Sequence, residues 1–429
     1  MSTESRARPL GFPSLLALGI NGIVGVGIFF APAAVAAQVP GMSGVLVYVV
    51  TALALLPIAA SYAALGSRFP VDGGPYVWAK AAFGPNVAFL VGWVTFVSSL
   101  FSVAAVVSGL AHHAAPLFGI HAPGATQAFA VGCTALLSVV AATGLNPSAF
   151  VWTVVTVLKL LPLAAILVLG ASWGGIAPAV QANAPAMVTA HSLERAVLVV
   201  VFASQGFEIV PLLAGSVRRP EVSVPAATVA SLAFASVLYM ALHALVVRAV
   251  PALAASHAPL VDAARAYGGT FTADVVAAGA NVSALGIAFG MLNTTPRYLS
   301  ALSGQGAFGT WLGDLDARFV PQRSLWLTSA AVVVMVALAG RLTELFVLSS
   351  LAVLAQYGVT LAALAVLAWR RQHGLSRHHL WPVPLSVVGI ALAAQGAEAR
   401  EFGVAATVVV AGEVLRRVFG SKPGLEPTG

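Results

Sequence analysis

Three glycines stand in the middle of an apolar segment that is long enough to cross a membrane. Gly22, Gly25 and Gly27 fall within residues 12–37, where an uninterrupted helix would be expected. Glycine is a poor helix former, and its missing side chain lets another backbone or a ligand approach closely. In lipid, an opened backbone is tolerated only where polar groups satisfy its N–H and C=O groups. The segment is therefore either a tight helix-packing face or a broken helix that binds a ligand.

A second apolar segment, residues 194–215, carries a polar cluster near its middle. The cluster comprises Ser204, Gln205, Gly206 and Glu208. A carboxylate at this depth is costly and usually functional. The two segments are the first members of two successive blocks of five spans, and interrupted segments at matching positions indicate the binding site of a transporter. We therefore predict two broken helices, and close helix packing remains the other interpretation of the glycines.

Opening these helices would expose backbone groups that suit opposite charges. The N–H groups of Val26, Gly27 and Ile28 would face an anion, with the positive end of the helix dipole behind them. Carbonyl groups before the break would suit an ammonium, and carbonyls of the second broken helix could complete that cup. These carbonyls belong to Gly22, Ile23, Phe202, Ala203 and Gln205. A site that binds a carboxylate and an ammonium predicts an amino acid as substrate.

Lys159 lies about ten residues from either end of the apolar segment 149–171, or roughly 15 Å of helix. That is too far for its side chain to reach water at the membrane surface. It could form a structural pair with a carbonyl or with Glu208. It could instead be a cation beside the substrate site that exchanges a proton during transport, because burial disfavours its charged form. A third alternative is that it stays charged and replaces a coupling sodium ion.

Glu208 also has two interpretations. It could gate the inner vestibule or titrate, or it could form a salt bridge with Arg297 near the inner end of the eighth span. The histidines have few carboxylate or cysteine neighbours, so we predict no metal site and no cofactor. No nucleophile, acid and base converge in the sequence, and an enzyme is not expected.

The composition places all these residues in a membrane. Of the 429 residues, 59% are hydrophobic and 8% are charged, whereas a soluble chain carries about 25% charged residues. Mean hydropathy is +0.94. We predict an all-α integral membrane protein with twelve transmembrane helices. The predicted spans are 12–37, 43–67, 86–111, 126–144, 149–171, 194–215, 225–249, 273–298, 323–340, 343–368, 381–396 and 402–419.

The loop charges predict the orientation. With the N-terminus inside, fifteen Lys and Arg residues fall in inner segments and five in outer ones, which favours two cytoplasmic termini. The predicted segments are a terminus at 1–11, repeats at 12–171 and 194–368, extra helices at 381–419 and a terminus at 420–429. The scattered basic residues do not indicate nucleic-acid binding. Without a Walker motif, transport would be secondary or channel-like.

Four motifs together resemble the amino acid–polyamine–organocation (APC) transporter superfamily over nearly the whole chain. Residues 22–29 are similar to its Gly-x-Gly-Ile-Phe signature, and residues 69–76 to its Phe-Pro-x-x-Gly-Gly-x-Tyr loop. Residues 202–208 are similar to its Phe-x-x-x-Gly-Phe-Glu sequence. Lys159, with Leu160 and Pro162, resembles the Lys-Leu-x-Pro of sodium-independent members.

The resemblance implies a five-plus-five inverted-repeat (LeuT-like) core with discontinuous helices 1 and 6, two extra helices and alternating access. It implies a substrate-binding site that holds the carboxylate at Val26 and Gly27 and the amino group at the carbonyls of Ile23, Phe202 and Gln205. Phe202 would be an aromatic lid, and Lys159 would stand where sodium-coupled relatives hold a cation. The chain departs from the family at Ser216, where an acidic residue is frequent, and at Val26, where many members have a hydroxyl residue.

The expected function is that of a secondary amino acid permease of the cell membrane. We expect sodium-independent transport, either coupled to protons or by exchange, of a neutral amino acid. A cationic amino acid or polyamine exchanger, a sodium symporter of the same fold and a substrate-gated channel are the alternatives. The expected partners are the substrate, protons and the lipid bilayer, and the protein is expected to be a monomer or a homodimer.

Overall fold

The computed structural model describes residues 10–145, 149–172, 188–304, 310–338 and 342–419. Within these ranges every regular element is a helix, and one isolated bridge pairs Leu10 with Val217. Helices predominate because a backbone in lipid must satisfy its own hydrogen bonds. Residues 1–9 and 420–429 of the predicted terminal segments, and most of the stretch between the predicted spans 149–171 and 194–215, lie outside the described residues.

The described residues up to 172 form seven α-helices. They are α1 (Phe12–Ile23), α2 (Gly27–Ala36), α3 (Gly44–Arg68), α4 (Pro75–Phe83), α5 (Pro85–Ala114), α6 (Pro123–Ala142) and α7 (Ala149–Ser172). The short helix α4 occupies part of the predicted inner loop. Its start has a local cause, because Gly73 and Gly74 have positive φ angles of 120° and 45° and Pro75 then takes the first helical position.

The described residues from 188 onward form eight α-helices. They are α8 (Ala190–Ser204), α9 (Ile209–Leu212), α10 (Pro220–Ala249), α11 (Pro259–Gly304), α12 (Gln322–Leu338), α13 (Leu342–Trp369), α14 (Pro382–Gln395) and α15 (Ala399–Phe419). Helix α11 begins before the predicted span 273–298, inside the loop predicted to follow the span 225–249. Gly269 interrupts this helix with φ 75° and ψ −168°. The prediction missed this start because the polar residues near it resemble a loop.

Seven helices among the described residues are long and apolar enough to cross a membrane, and nine are when each of two bent pairs counts as one span. The bent pairs are α1 with α2, at 46°, and the segment Arg377–Gln395 with α15, at 116°. Two apolar stretches, Thr156–Ser172 and Gln322–Leu338, are shorter. The chain is thus a multi-pass membrane protein. A total of twelve requires both short stretches to span and the last pair to make two spans, and it stays a prediction.

Long helices form a frame around the two broken ones. Helix α3 packs along α10, and α5 lies against both α11 and α13. Helix α1 packs on α10 and α9, while α2 packs on α8 and α11. The last two helices attach at the periphery. There, Arg195 Nη2 donates to Glu401 Oε1 at 2.7 Å, and Trp93 Nε1 donates to the Val408 carbonyl at 2.8 Å.

Candidate functional site

The first broken helix opens at the predicted glycines. Helix α1 ends at Ile23, and Val24 leaves the helical conformation with ψ 86° although its N–H still donates to the Ile20 carbonyl at 2.8 Å. Helix α2 resumes at Gly27. The first N–H groups of a resumed helix have no carbonyl partner one turn earlier. Gly27 and Ile28, two of the three predicted positions, come first in α2, whereas the Phe29 N–H donates to the Val26 carbonyl at 3.1 Å.

The second broken helix opens at the predicted polar cluster. Helix α8 ends at Ser204, Gln205 is extended, and Gly206 has φ +116°, a conformation that favours glycine. The Glu208 carboxylate accepts the Gly206 N–H at 2.9 Å and the Tyr357 hydroxyl at 3.4 Å. Glu208 thus stabilises the turn that breaks the helix.

The two breaks touch through glycine. A Cβ atom on Gly206 would lie 2.3 Å from the carbonyl carbon of Gly22, and one on Gly27 would lie 2.8 Å from the Cα of Ala203. By contrast, a Cβ on Gly25 would have two neighbours within 4 Å. They are the side-chain tip of Ile287, at 3.2 Å, and the carbonyl oxygen of Ile23, two residues earlier in the chain. The glycine run thus combines a packing role with an open backbone, and its role in ligand binding stays a prediction. Gly22 and Gly27 are packing positions, and the backbone between them is open.

Tyr239, which the sequence analysis did not single out, joins the two breaks. Its hydroxyl lies 2.9 Å from the Ile23 carbonyl and 3.0 Å from the Ala203 carbonyl, and the side chain is 1% exposed. Both carbonyls belong to the cup predicted for an ammonium. Each keeps a second lone pair, so Tyr239 shares these acceptors without using them up. A tyrosine near the middle of an apolar span was the available signal, since a buried hydroxyl needs a partner.

Lys159 contacts the end of the first broken helix. Its Nζ donates to the Asn21 carbonyl at 2.8 Å, and the side chain is 1% exposed. Thr156 Oγ1 lies 3.1 Å from the side-chain oxygen of the same Asn21. A cation at the carboxyl end of a helix is favoured by the helix dipole. The carbonyl pair predicted for Lys159 is therefore present, while Glu208 is occupied by Gly206 and Tyr357.

The alternative ion pair of Glu208 is not formed. The ion pairs between described residues do not include Arg297 with Glu208, and Arg297 is exposed. The carboxylate instead turns toward the N–H of Gly206, two residues before it in the chain, because the broken helix leaves that donor free.

One cavity of about 1100 Å³ brings the predicted binding residues together. It is lined by Gly22, Ile23, Gly25, Val26, Gly27, Phe202, Ala203, Gln205, Gly206 and Glu208. Lys159 is not among its lining residues and lies behind Asn21. The Phe202 ring stacks on Phe346 with centroids 4.3 Å apart. From the breaks, the cavity extends along α1 to Ser14 and Leu10.

The face of α5 that lines the cavity is polar, a feature that was not predicted. Four hydroxyl residues of α5 line the cavity: Thr95, Ser98, Ser99 and Ser102. Their spacing of three, four and seven residues from Thr95 places them on one helical face. This periodicity within an apolar span was a readable signal. Among the described residues that line the cavity, Glu208 is the only one with a carboxylate, and none is lysine, arginine or histidine.

Comparison with known proteins defines the class. Residues 10–404 match the family model described as amino acid permease, so the chain belongs to the amino acid permease family. This family membership makes it a membrane transport protein rather than an enzyme, in agreement with the resemblance to the APC superfamily.

Individual relatives carry several names. The chain is 30% identical to an uncharacterised transporter of Mycobacterium tuberculosis, over 77% of this chain and 74% of that protein. It is 24% identical to the methylthioribose transporter of Bacillus subtilis, over 86% and 83%. It is 28% identical to the branched-chain amino acid permease BcaP of the same species, over 71% and 68%.

Proposed function

We propose that the protein is a secondary transporter of neutral amino acids that works by alternating access and does not require sodium. The observation that carries the proposal is the meeting of two broken helices at one cavity. There, N–H groups at the start of α2 can bind a carboxylate, and carbonyls at Ile23, Phe202 and Gln205 can bind an ammonium. An amino acid carries both groups on one carbon atom.

The charge of the cavity wall supports a neutral side chain. Glu208 is the only charged residue among the described lining residues, and its carboxylate already accepts two hydrogen bonds. A cationic amino acid or polyamine would use Glu208 as its counter-charge and is the second candidate. One relative, from Arabidopsis thaliana, is named a cationic amino acid transporter, and the chain spans about half of its length, 55%.

Lys159 supports independence from sodium. Its amine occupies the carboxyl end of α1, 2.8 Å from the Asn21 carbonyl, where the helix dipole favours a positive charge. In our proposal this amine takes the place of a coupling cation. Loss of its proton would weaken the contact with α1, which offers a route for proton coupling.

The shape of the cavity supports an inward-open state. It reaches Leu10 and Ser14 at the start of α1 and Tyr298 near the end of α11. The distribution of Lys and Arg over the loops favours the cytoplasmic side of a cell membrane for these ends. The stacked rings of Phe202 and Phe346 would close the opposite, outer side.

Uptake into proteoliposomes tests the proposal. Labelled neutral and cationic amino acids are presented with and without sodium and with and without a pH gradient. We expect saturable uptake of neutral amino acids that does not need sodium. Strict sodium dependence would contradict the role of Lys159, and flux that does not saturate would indicate a channel.

Two variants locate the function within the site. Lys159→Met should abolish the uptake or its pH dependence, whereas Lys80→Met, which changes an exposed lysine of α4, should not. Gly25→Val should abolish uptake. The variant should still fold, because the atom nearest to a Cβ at this position is the flexible side-chain tip of Ile287. Gly27 is unsuitable for this test, because its missing side chain makes room for the Ala203 backbone. Full activity of both site variants would refute the proposed site.

A further inference from the structure

The polar face of α5 continues into a chain of hydrogen bonds that reaches Gln205 in the second broken helix. Ser102 Oγ and Ser349 Oγ are 2.7 Å apart, and Ser349 Oγ lies 3.2 Å from the side-chain oxygen of Gln205. Ser98 Oγ donates to the Ser349 carbonyl at 3.4 Å. These contacts hold one end of the Gln205 carboxamide in place.

The other end of that carboxamide has no partner. Gln205 Nε2 is buried and makes no hydrogen bond within the described part of the chain. A carboxamide nitrogen carries two N–H donors, and leaving a buried donor unpaired is unfavourable. Gln205 also lines the cavity. The unpaired donor therefore lies behind the cavity wall, where a turn of the carboxamide would present it to a transported molecule.

A second glutamine of the cavity wall differs from Gln205 in the hydrogen bonds of its carboxamide. Gln356 also lines the cavity, but both ends of its carboxamide are bonded. Its oxygen accepts from Thr95 at 2.8 Å, and its nitrogen donates to the Tyr62 hydroxyl at 3.1 Å. Of these two carboxamide nitrogens, only that of Gln205 makes no hydrogen bond within the described part of the chain.

We infer that Gln205 determines specificity by donating a hydrogen bond to an oxygen in the side chain of the substrate. The inference rests on the proposed function and deepens it, because it selects among neutral amino acids. Those with a carboxamide or hydroxyl side chain, such as glutamine, asparagine, serine and threonine, supply the acceptor.

Other side chains fit this wall less well. An aliphatic side chain leaves the Gln205 donor unpaired. Lysine and arginine side chains carry donors and no acceptor, so they cannot pair with it. An acidic side chain has acceptors, but no basic residue is found among the described lining residues to balance its charge. A neutral oxygen is the partner that satisfies Gln205 at the lowest cost.

Competition binding to the purified protein, with labelled substrate displaced by glutamine, serine, leucine or lysine, tests the inference. Gln205→Leu should reduce the preference for glutamine over leucine by about 5- to 10-fold, the value of one hydrogen bond of about 1 kcal/mol. Gln205→Met is a second variant of similar volume. Ser349→Ala, which removes the contact at the oxygen end, should shift the ratio in the same direction but less. Gln395→Leu changes an exposed glutamine of α14 and should leave the ratio unchanged.

The outcomes separate the two levels of the proposal. Equal loss of binding for all amino acids in the Gln205 variants, or an unchanged ratio, would overturn the role of Gln205 and leave amino acid transport in place. A wild-type protein that binds no amino acid in the panel would overturn the proposed function and this inference with it.

Discussion

Tyr239→Phe removes one oxygen atom at the point where the two broken helices meet. The hydroxyl lies 2.9 Å from the Ile23 carbonyl and 3.0 Å from the Ala203 carbonyl. The ring stays in place, so no space is created in the packing. The substitution therefore tests the hydrogen bonds alone.

The expected loss of stability follows from the geometry. One hydroxyl proton can serve one acceptor fully at a time, so the two contacts amount to between one and two hydrogen bonds. A hydrogen bond contributes about 0.5–1.5 kcal/mol, and polar contacts between membrane helices average about 0.6 kcal/mol. Ile23 and Ala203 both line the cavity, where water can replace part of what is lost. We expect the free energy of unfolding to fall by about 1–2 kcal/mol.

Transport should respond as well. If the contact forms in only one conformation of the transport cycle, losing about 1–2 kcal/mol shifts the balance between conformations by roughly 5- to 30-fold. The assays are denaturant titration in detergent and substrate uptake in proteoliposomes.

Tyr267→Phe is the matched control. This hydroxyl also donates to a helix carbonyl, that of Leu245 at 2.7 Å, but it lies away from the two breaks. The control should lose a similar or smaller amount of stability and keep its transport. The reasoning is refuted if Tyr239→Phe unfolds like the wild type and transports like Tyr267→Phe.

The remaining predictions concern the break and a loop. Gly206→Ala should destabilise the protein by about 2–5 kcal/mol, because the residue has φ +116° and its Cβ would lie 2.3 Å from Gly22. Gly84→Ala shares the positive φ, at 87°, but meets nothing within 4 Å, so unfolding of both variants separates steric clash from strain. Hydrogen bonds, the strongest from the Gln322 side chain, lower the pKa of the Asp316 carboxyl in the loop before α12. A carboxyl group whose pKa is lowered by folding stabilises the folded state at any pH above its pKa in the unfolded chain. Asp316→Asn should therefore reduce stability at neutral pH. This difference should vanish as the pH falls through the folded pKa, and a thermal midpoint that differs equally at both pH values would contradict it.

The two predictions about the glycine run show how far local sequence can reach. Both broken helices open where the sequence predicts, because glycine and polar residues inside apolar segments have local consequences. The sequence did not decide which glycines of the run serve helix packing and which leave the backbone open. That distinction depended on what lies within 3 Å of each missing side chain, such as Ala203 beside Gly27.

The partners of the charged residues were likewise beyond the sequence. Lys159 could be placed in the centre of a span by counting, but its contact with Asn21 joins residues that are 138 positions apart. Glu208 had Arg297 as a plausible partner, yet it accepts the N–H of Gly206 nearby in the chain. Coulomb attraction alone does not decide such pairs, because a freed backbone donor competes for the same carboxylate.

By itself, the sequence determined that this is a helical membrane protein, that two of its apolar segments are interrupted and that another carries a buried lysine. These properties follow from composition and from the preferences of single residues, which act over one helical turn. The tertiary structure alone decided that the breaks meet, that Tyr239 joins them and that Gln205 keeps an unpaired donor beside the cavity. Each of these depends on contacts between helices far apart in the chain. No periodicity within one segment encodes such contacts.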